Sequence, residues 1–260
     1  MRPVLVHVGP LAIPSHGTFI LLGVLAAFVS FRVEARRRGV WGDERLLWIV
    51  AGALVCGALG AKAATAWHYA AVTGDTSLVG LAVRGGRSIL GGLAGAYAGV
   101  VVTRRLVGYR RRTGDLFAPG VALGMAIGRV GCLLSEPPGT PTDLPWGVRL
   151  TPAEAAAIPG CPAWCADRPL HPSFVYEILF QLAAFAVLLR ARPHLTRDGD
   201  LFKLYLLGYA VFRFLVEFVR GNEVAWHGLT RSQLFLVPTT MLLVWYFVRP
   251  QPAATAASTT

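Results

Sequence analysis

Ionisable side chains interrupt several stretches of this chain that are otherwise strongly apolar. They are Lys62, Arg129, Glu177, Arg213 and Glu217, with Lys203 near the edge of another such stretch. A charged side chain at membrane depth costs on the order of a few kcal/mol, so such residues are by default functional or paired. Arg213 and Glu217 are four residues apart, and on one helix they can pair with each other. Each charged residue is therefore a candidate for chemistry or for a buried ion pair.

The two arginines at positions 129 and 213 suit the binding of an anion. Arg129 lies in the run Gly-Arg-Val-Gly, residues 128–131, whose glycines allow a backbone or a ligand to approach closely. Arginine recognises phosphate with a planar fork of donors. Arg129 and Arg213, with the carboxylate of Glu217 between them, predict an anion in a lipid-lined cavity. A phospholipid headgroup is the anion most available there.

The four cysteines fall into two kinds. Cys161 and Cys165 are separated by three residues in a segment rich in Pro and Gly. An extracytoplasmic location would permit a disulfide between them, while a metal pair with His171 and two free thiols are the other interpretations. Cys56 and Cys132 lie in apolar stretches and are most simply small apolar residues.

Seven apolar spans must position these side chains. They are residues Gly17–Phe31, Leu46–Ala70, Ser88–Thr103, Asp115–Leu134, Pro172–Leu189, Asp200–Val219 and Ser232–Val248. The chain has 260 residues, of which 54% are hydrophobic and only 15% are charged, whereas a soluble domain is about 25% charged. Crossing a bilayer takes about 17–25 residues, and only helices satisfy the backbone at this hydrophobicity. The sequence therefore predicts an all-α membrane protein with about seven transmembrane helices.

Arginines are distributed unequally between the two sides of these spans. Fourteen follow spans 1, 3, 5 and 7, and seven lie on the other side. The richer side is expected to be cytoplasmic, which places the N-terminus outside and the C-terminus inside. Residues 135–171 then form an outer loop, whose length predicts a structured cap. We expect one multi-pass membrane domain over residues 1–250 and a disordered tail over 251–260.

The net charge of the chain also indicates which class of partner to expect. The net charge is +11, which in a soluble protein would suggest nucleic acid. Here the basic residues fall at the ends of apolar spans, so the expected partner is the anionic lipid bilayer and not nucleic acid. A small-molecule transporter is a weaker alternative, because transporters often show paired repeats and broken helices that this sequence lacks.

Three stretches resemble one family, the prolipoprotein diacylglyceryl transferases of the bacterial inner membrane. Residues 128–132 (Gly-Arg-Val-Gly-Cys) resemble the start of the family signature Gly-Arg-x-Gly-Asn. Residues 170–177 (Leu-His-Pro-Ser-Phe-Val-Tyr-Glu) are similar to its His-Pro-Ser-x-x-Tyr-Glu element. Residues 208–220 resemble its Tyr-x-x-Phe-Arg-x-x-x-Glu-x-x-Arg helix closely. The order and spacing of the motifs agree with the family across nearly the whole chain.

The resemblance implies a reaction and its partners. Family members move the diacylglyceryl group of phosphatidylglycerol onto the lipobox cysteine of prolipoproteins, so that a thioether forms and glycerol phosphate leaves. The expected location is the bacterial inner membrane, and no cofactor or metal is indicated. The sequence departs from the family in having Cys132 and Ser135 in place of two asparagines, and Leu90 in place of a histidine before Gly91 and Gly92.

The resemblance also assigns site residues. Arg129 and Arg213 would stabilise the leaving phosphate, with Glu217 orienting Arg213. Because the family histidine is Leu90 here, another base must accept the thiol proton; His16 is the first choice, and His171 and His227 follow. The catalytic group predicted is Arg129, Arg213, His16 and Glu217, and the substrate-binding group is Tyr209, Arg220, His171, Gly91, Gly92, Cys132 and Ser135.

The departures from the family pattern leave a second interpretation open. The chain can be a divergent paralogue that binds the same phospholipid but uses a different acceptor, or that has no turnover. The absence of the family histidine at Leu90 and of its asparagine at Cys132 motivates this alternative.

Overall fold

The computed structural model describes residues 2–9, 11–77, 79–80, 88–158, 161, 165–195 and 197–249. Its helices are α1 (Ser15–Arg37), α2 (Arg45–Thr73), α3 (Ile89–Leu106), α4 (Gly114–Ser135), α5 (Pro152–Ala157), α6 (Ser173–Ala191), α7 (Asp200–Val216) and α8 (Arg231–Val248). Its strands are β1 (Val4–Val8), β2 (Leu11–Pro14), β3 (Val224–Trp226) and β4 (Leu229–Thr230). A 3-10 turn over Glu217–Val219 continues α7. The predicted tail over 251–260 lies outside the described residues.

A long helix lies at each of the seven predicted spans. Among the described residues, four of these helices are long and apolar enough to cross a membrane: Ser15–Arg37, Arg45–Ala66, Gly114–Ser135 and Ser173–Ala191. Large apolar side chains at Leu21, Leu25 and Val29 of α1 are more than half exposed, as expected for a helix surrounded by lipid. The chain is a mostly helical, multi-pass membrane protein.

The chain divides into two compact units, which are described separately. One unit comprises Phe31–Leu116, and the other comprises the residues up to Ser30 together with those from Phe117 onward. In the first of these units, α2 packs closely along α3. A Cβ atom added at Gly60 would lie 2.4 Å from the carbonyl oxygen of Gly91, and one at Gly95 would lie 2.3 Å from that of Cys56. The small residues are therefore explained by close helix packing.

The other unit contains most of the charged residues singled out above. In it α1 makes a close contact with α4 at Gly131. A Cβ atom added at Gly131 would lie 3.0 Å from both the Cα of His16 and the Cβ of Phe19. The first turn of α1 is thereby held against the last turn of α4.

Two short antiparallel hairpins lie outside the predicted spans and carry no strand signal long enough to predict. In the first, β1 pairs with β2 and leads directly into α1. In the second, β3 and β4 are joined by His227 and Gly228, which both have positive φ angles of 43° and 80°. Two such residues are typical of a type I′ hairpin turn. This second hairpin places Thr230 at the start of α8.

The connection between α4 and α6 is structured, as predicted for the loop over 135–171. Thr151 and Glu154 form a reciprocal capping box at the start of α5. Leu170 bridges the backbone at both Pro141 and Val148. A small apolar cluster forms its core, comprising Leu150, Ile158, Cys165 and Leu170.

Candidate active site

A fully buried carboxylate, Glu177, is shared by two arginines. Glu177 lies in the first turns of α6, and its Oε2 forms an ion pair with Nε of Arg129 from the end of α4. Its Oε1 accepts a hydrogen bond from Nη1 of Arg220, which follows the 3-10 turn after α7. Arg129 is 3% exposed and Glu177 is 0% exposed. The carboxylate thus holds two guanidinium groups that belong to different elements.

The ring of Phe174 lies under both of these arginines. The guanidinium carbon of Arg220 is 4.8 Å from the centre of the ring, and that of Arg129 is 5.9 Å away. Cation–π contacts of this kind favour a cation over the aromatic face. Phe174 is itself buried, so it fixes where the two guanidinium planes can lie.

A second ion pair joins Arg213 and Glu217, four residues apart at the end of α7. Oε1 of Glu217 also accepts hydrogen bonds of 2.9 Å from Nδ2 of Asn222 and from Oγ1 of Thr230. Thr230 in turn caps α8 by accepting from the backbone NH of Gln233. Glu217 is therefore held by three neighbours and forms the ion pair with Arg213 that their spacing allows; its role in orienting Arg213 for catalysis stays a prediction.

Tyr209 lies one turn before Arg213 on α7 and is 2% exposed. Its ring is stacked on Tyr205 with centres 6.1 Å apart. Its hydroxyl lies within electrostatic range of both Arg129 and Arg213. This hydroxyl and the guanidinium of Arg129 are both buried and interact with each other. Tyr209 therefore lies directly beside the arginines.

His16 contacts two side chains near the end of α4. Its Nδ1 is 3.8 Å from Sγ of Cys132 and 3.4 Å from Oε1 of Glu136. Cys132 also accepts a contact of 3.8 Å from Nη1 of Arg129. The histidine that the sequence favours as a base is therefore linked, through Cys132, to the arginine cluster.

Three predicted residues have local partners of their own. His171 places Nδ1 3.3 Å from the hydroxyl of Tyr176, which accepts a 2.8 Å hydrogen bond from Nε1 of Trp146. The hydroxyl of Ser135 donates to the carbonyl of Gly131 one turn earlier, at 2.6 Å. The side chain of His227 is exposed at the tip of its hairpin, with its ring 4.3 Å from that of Trp226. Substrate contacts by His171 and Ser135 stay predictions.

Gly91 and Gly92 lie in the unit formed by residues 31–116, at the start of α3. The backbone NH of Gly91 donates to Oγ of Ser88, which caps the helix. A Cβ atom at Gly91 would lie 2.5 Å from the Cβ of Ala64. These contacts give Gly91 a packing role, and the substrate-binding role of the two glycines stays a prediction.

The structure contains a disulfide bond between Cys161 and Cys165. The sulfur of Cys165 belongs to the apolar core of the connection between α4 and α6. Of the alternatives that the sequence leaves open, the bonded pair is the one present. Cys56 and Cys132 are free.

Two residues that the structure brings into the site are absent from the predicted catalytic and substrate-binding groups. Glu177 carries the signal of a charge inside an apolar span, but no spacing in the sequence connects it with Arg129 or Arg220. Glu136 lies just beyond span 4 in a polar stretch, and no spacing connects it with His16. Only the contact between α1 and α4 brings these two together.

The helices and the buried cluster of arginine and glutamate define a multi-pass membrane protein with a polar site among its helices. A family model described as prolipoprotein diacylglyceryl transferase matches residues 3–249. The chain belongs to this family. The match confirms the resemblance in the three motifs, and with it the class of enzyme, a transferase of lipoprotein biosynthesis.

Relatives from several genera are similar over most of the chain. Proteins of Pseudomonas putida and Pseudomonas fluorescens are each 30% identical over 279 residues, which cover 98% of this chain and 97% of the relative. A protein of Mycolicibacterium paratuberculosis is 37% identical over 233 residues, covering 83% of this chain and 54% of its own. Each of the three is named phosphatidylglycerol–prolipoprotein diacylglyceryl transferase.

Proposed function

We propose that this protein transfers the diacylglyceryl group of phosphatidylglycerol to the lipobox cysteine of prolipoproteins, forming a thioether and releasing glycerol phosphate. The family and the names of the relatives support this substrate pair. The observation that carries the proposal is the cluster of buried Arg129, Arg213, Glu177 and Glu217 with the half-buried Arg220.

The charge of this cluster suits a phosphodiester. Three guanidinium groups and two carboxylates leave one net positive charge, which matches the single negative charge of a phosphatidylglycerol headgroup. We assign Nη2 of Arg129 and the hydroxyl of Tyr209, both buried beside the ion pairs, to contacts with the headgroup. In a site of low dielectric, fixed donors of this kind stabilise charge that develops on a leaving group. Arg129 and Arg213 are therefore the proposed catalytic arginines, with Arg220 and Tyr209 binding the substrate.

The transfer step needs a thiolate, because the thiol itself is a poor nucleophile. We assign His16 as the group that accepts the proton of the lipobox thiol. Glu136 is a positioning residue, since a hydrogen bond from Nδ1 to its carboxylate would leave Nε2 as the accepting nitrogen. His171 is the second candidate, although its contact with Tyr176 gives it a structural partner.

In the proposed transfer step, one bond to the glyceryl carbon forms while another breaks. The sulfur attacks the glyceryl carbon that bears the phosphate, and a carbon–sulfur bond forms as the carbon–oxygen bond breaks. The electron pair of the broken bond goes to the phosphate oxygen of glycerol phosphate, where the arginines face it. The thiol proton goes to His16 and then to the released phosphate or to solvent. Glu217 acts only by holding Arg213.

The membrane arrangement is part of the proposal. Seven spans, an outer N-terminus and a cytoplasmic C-terminus would place the arginine-rich loops inside and the loop with the disulfide outside. The bacterial inner membrane is the expected location. It supplies phosphatidylglycerol and receives prolipoproteins that are anchored by their signal segments.

The test is a transfer assay with the purified full-length protein, labelled phosphatidylglycerol and a lipobox peptide. Label should reach the peptide thiol, and Arg213→Ala and Arg129→Ala should each lower the rate by about 100-fold or more. Arg149→Ala, at an exposed loop position, is the matched control and should transfer normally. Thermal unfolding of each variant in detergent separates lost chemistry from lost structure. Normal transfer by both site variants would refute the assignment of the arginines.

The paralogue interpretation has its own outcome in the same assay. Its motivation is the pair of departures at Leu90 and Cys132 from the family motifs. Binding of labelled phosphatidylglycerol without label on any lipobox peptide would favour it over the transferase. Label on the peptide would show that the family histidine is replaceable in this chain.

A further inference from the structure

The side chains of His16, Cys132 and Glu136 converge with geometry that a metal ion requires. One ligand atom from each, Nδ1, Sγ and a carboxylate oxygen, lies within 4.8 Å of the other two. Nδ1 is 3.4 Å from Oε1 of Glu136 and 3.8 Å from Sγ of Cys132. Tetrahedral zinc with ordinary bond lengths separates nitrogen from oxygen by about 3.4 Å and nitrogen from sulfur by about 3.6 Å. The distances from Nδ1 of His16 to the oxygen and to the sulfur are thus close to those that zinc would impose, and the sulfur and the oxygen lie within 4.8 Å of each other.

The elements that carry the three residues are held in place without a metal. Cys132 and Glu136 are four residues apart, and the backbone NH of Glu136 donates to the carbonyl of Cys132 at 2.8 Å, which extends the helical pattern of α4 by one residue. His16 lies in the first turn of α1, which Gly131 allows to approach closely. Ligands on rigid helices lose little conformational entropy when a metal binds.

The chemistry of the three ligands selects the metal. A thiolate, an imidazole and a carboxylate favour zinc among common cellular cations, whereas magnesium and calcium take oxygen ligands. One thiolate and one carboxylate also balance the two charges of Zn²⁺, so the occupied site is neutral. Nη1 of Arg129 contacts the sulfur at 3.8 Å and can orient it from outside the metal. Three protein ligands leave a fourth position for water or a thiol.

The site also has a path to solvent. The side chain of His16 is 26% exposed and that of Glu136 is 38% exposed, while Cys132 is buried beneath them. A hydrated ion can therefore meet the outer two ligands first and then the sulfur. This access from the surface distinguishes the cluster from a hydrogen-bonded pair buried inside the protein, which an ion could not reach.

We propose that His16, Cys132 and Glu136 form a binding site for Zn²⁺. Zinc bound at Nδ1 of His16 leaves the proton of the neutral imidazole on Nε2, the nitrogen proposed to accept the thiol proton, so it inhibits transfer. The inhibition rests on the proposed function, whereas the binding does not. The two are therefore measured separately.

Binding is tested first by cobalt, which replaces zinc and reports its ligands by absorption. Full-length protein stripped of metal and titrated with Co²⁺ should show the charge-transfer band of a thiolate ligand and the strong visible bands of tetrahedral cobalt, at about one ion per chain. Zn²⁺ should abolish these bands, and Mg²⁺ should not. Absence of the charge-transfer band in folded protein would overturn the proposal.

Variants then show which side chains bind the metal. Cys132→Ser should lose the charge-transfer band, and His16→Ala and Glu136→Gln should each weaken cobalt binding by about 10-fold or more. Cys56→Ser and His7→Ala are the matched controls and should bind as the parent does. A charge-transfer band that survives in Cys132→Ser would place the metal elsewhere and overturn the assignment.

A second measurement leaves all three proposed ligands unchanged. The chain has four cysteines, and Cys161 and Cys165 are bonded, so Cys132 is the only free thiol in Cys56→Ser. Zinc should protect this thiol from alkylation in the folded protein, and magnesium should not. Equal alkylation with and without zinc would refute the site. Protection without inhibition of transfer would keep the zinc site and remove His16 from the proposed chemistry.

Discussion

At the scale of single residues, the buried ion pairs determine what the site can do. Glu177 is fully buried and meets Arg129 and Arg220, while Glu217 meets Arg213 and two hydroxyl or amide donors. A buried pair is costly to assemble, and removing one partner is costlier still because it strands the other charge. The two carboxylates therefore offset the cost of placing three arginines among the helices.

The substitution Glu177→Gln tests this account of the network. It preserves the shape of the side chain but leaves Arg129 and Arg220 without their shared negative charge. We expect the free energy of unfolding to fall by about 3 kcal/mol, measured by denaturation in mixed micelles. Glu223→Gln, at an exposed position, should change it by less than about 0.5 kcal/mol. Equal stability of the two variants would contradict a structural role for the Glu177 carboxylate.

The substitution His16→Ala tests the proposed base. Removing a general base lowers the rate of the chemical step by about 100-fold to 10,000-fold, so kcat should fall far more than KM changes. Added imidazole should restore part of the rate, which a purely structural defect would not allow. The assay contains a chelator so that zinc does not obscure the result, and His7→Ala is the control. Unchanged kcat in His16→Ala would eliminate the assignment.

Sequence predicts single residues of this site only in part. Arg129, Arg213 and Glu217 are predictable because a charge in an apolar span must be paired or functional, and the spacing of four residues reveals the pair between Arg213 and Glu217. The bridge from Glu177 to Arg220 is not predictable in this way, because its partners are 43 residues apart. The convergence of His16 with Cys132 spans 116 residues and depends on how two helices cross.

At the scale of elements, the site is assembled from the ends of helices. Glu177 lies near the N-terminus of α6, where the partial positive charge of the helix favours an anionic side chain. Arg213 lies in the last turn of α7, where the partial negative charge favours a cation. The hairpin of β3 and β4 brings Thr230 to Glu217 and caps α8 with the same residue. These local preferences hold the charged groups where the elements meet.

The contact between α1 and α4 can be tested with two glycines on one helix. Gly131→Ala places a methyl group 3.0 Å from the backbone of His16, whereas Gly128→Ala meets nothing within 4 Å. We expect Gly131→Ala to destabilise the protein by about 1–3 kcal/mol through overpacking. Gly128→Ala should stabilise it by up to about 1 kcal/mol, because alanine favours a helix. Thermal unfolding in detergent measures both, and a shift of the same sign in both variants would contradict this helix contact.

The elements themselves are the part of the fold that sequence predicts well. Each predicted span coincides with a helix to within a few residues, because a run of apolar side chains has few alternatives in a bilayer. The ends of some helices differ from the ends of the predicted spans, because polar residues can also pair within a helix. For example, α1 continues to Arg37, where Glu34 pairs with Arg37 and Arg38 at the end of the helix. The hairpins are missed because strands of two to five residues carry almost no periodic signal.

At the scale of the whole molecule, an odd or an even number of crossings decides whether the two termini lie on opposite sides of the membrane or on the same side. Four helices satisfy the requirements for crossing by their own length and apolarity. The other three, α3, α7 and α8, have 18, 17 and 18 residues, which at about 1.5 Å per residue reach nearly the about 30 Å of a hydrocarbon core. Arg213 does not prevent α7 from crossing, because Glu217 neutralises it within the protein.

The positions of the two termini give the sharpest test of how many helices cross the membrane. Seven crossings place the termini on opposite sides, whereas four place them on the same side. We expect a tag before Arg2 to be digested by protease in intact spheroplasts and a tag after Arg249 to be protected until the cells are lysed, because the loops richer in arginine are retained inside.

Single cysteines provide a matched second measurement of the same arrangement. In a background without Cys56 and Cys132, Arg149→Cys should react with an impermeant maleimide from outside and Arg197→Cys should not. Termini on one side would leave an even number of crossings and would exclude at least one of α3, α7 and α8 from the bilayer. If α7 were the helix excluded, the ion pair of Arg213 and Glu217 would lie outside the hydrocarbon core, and the argument for a phosphate site at membrane depth would fail with it.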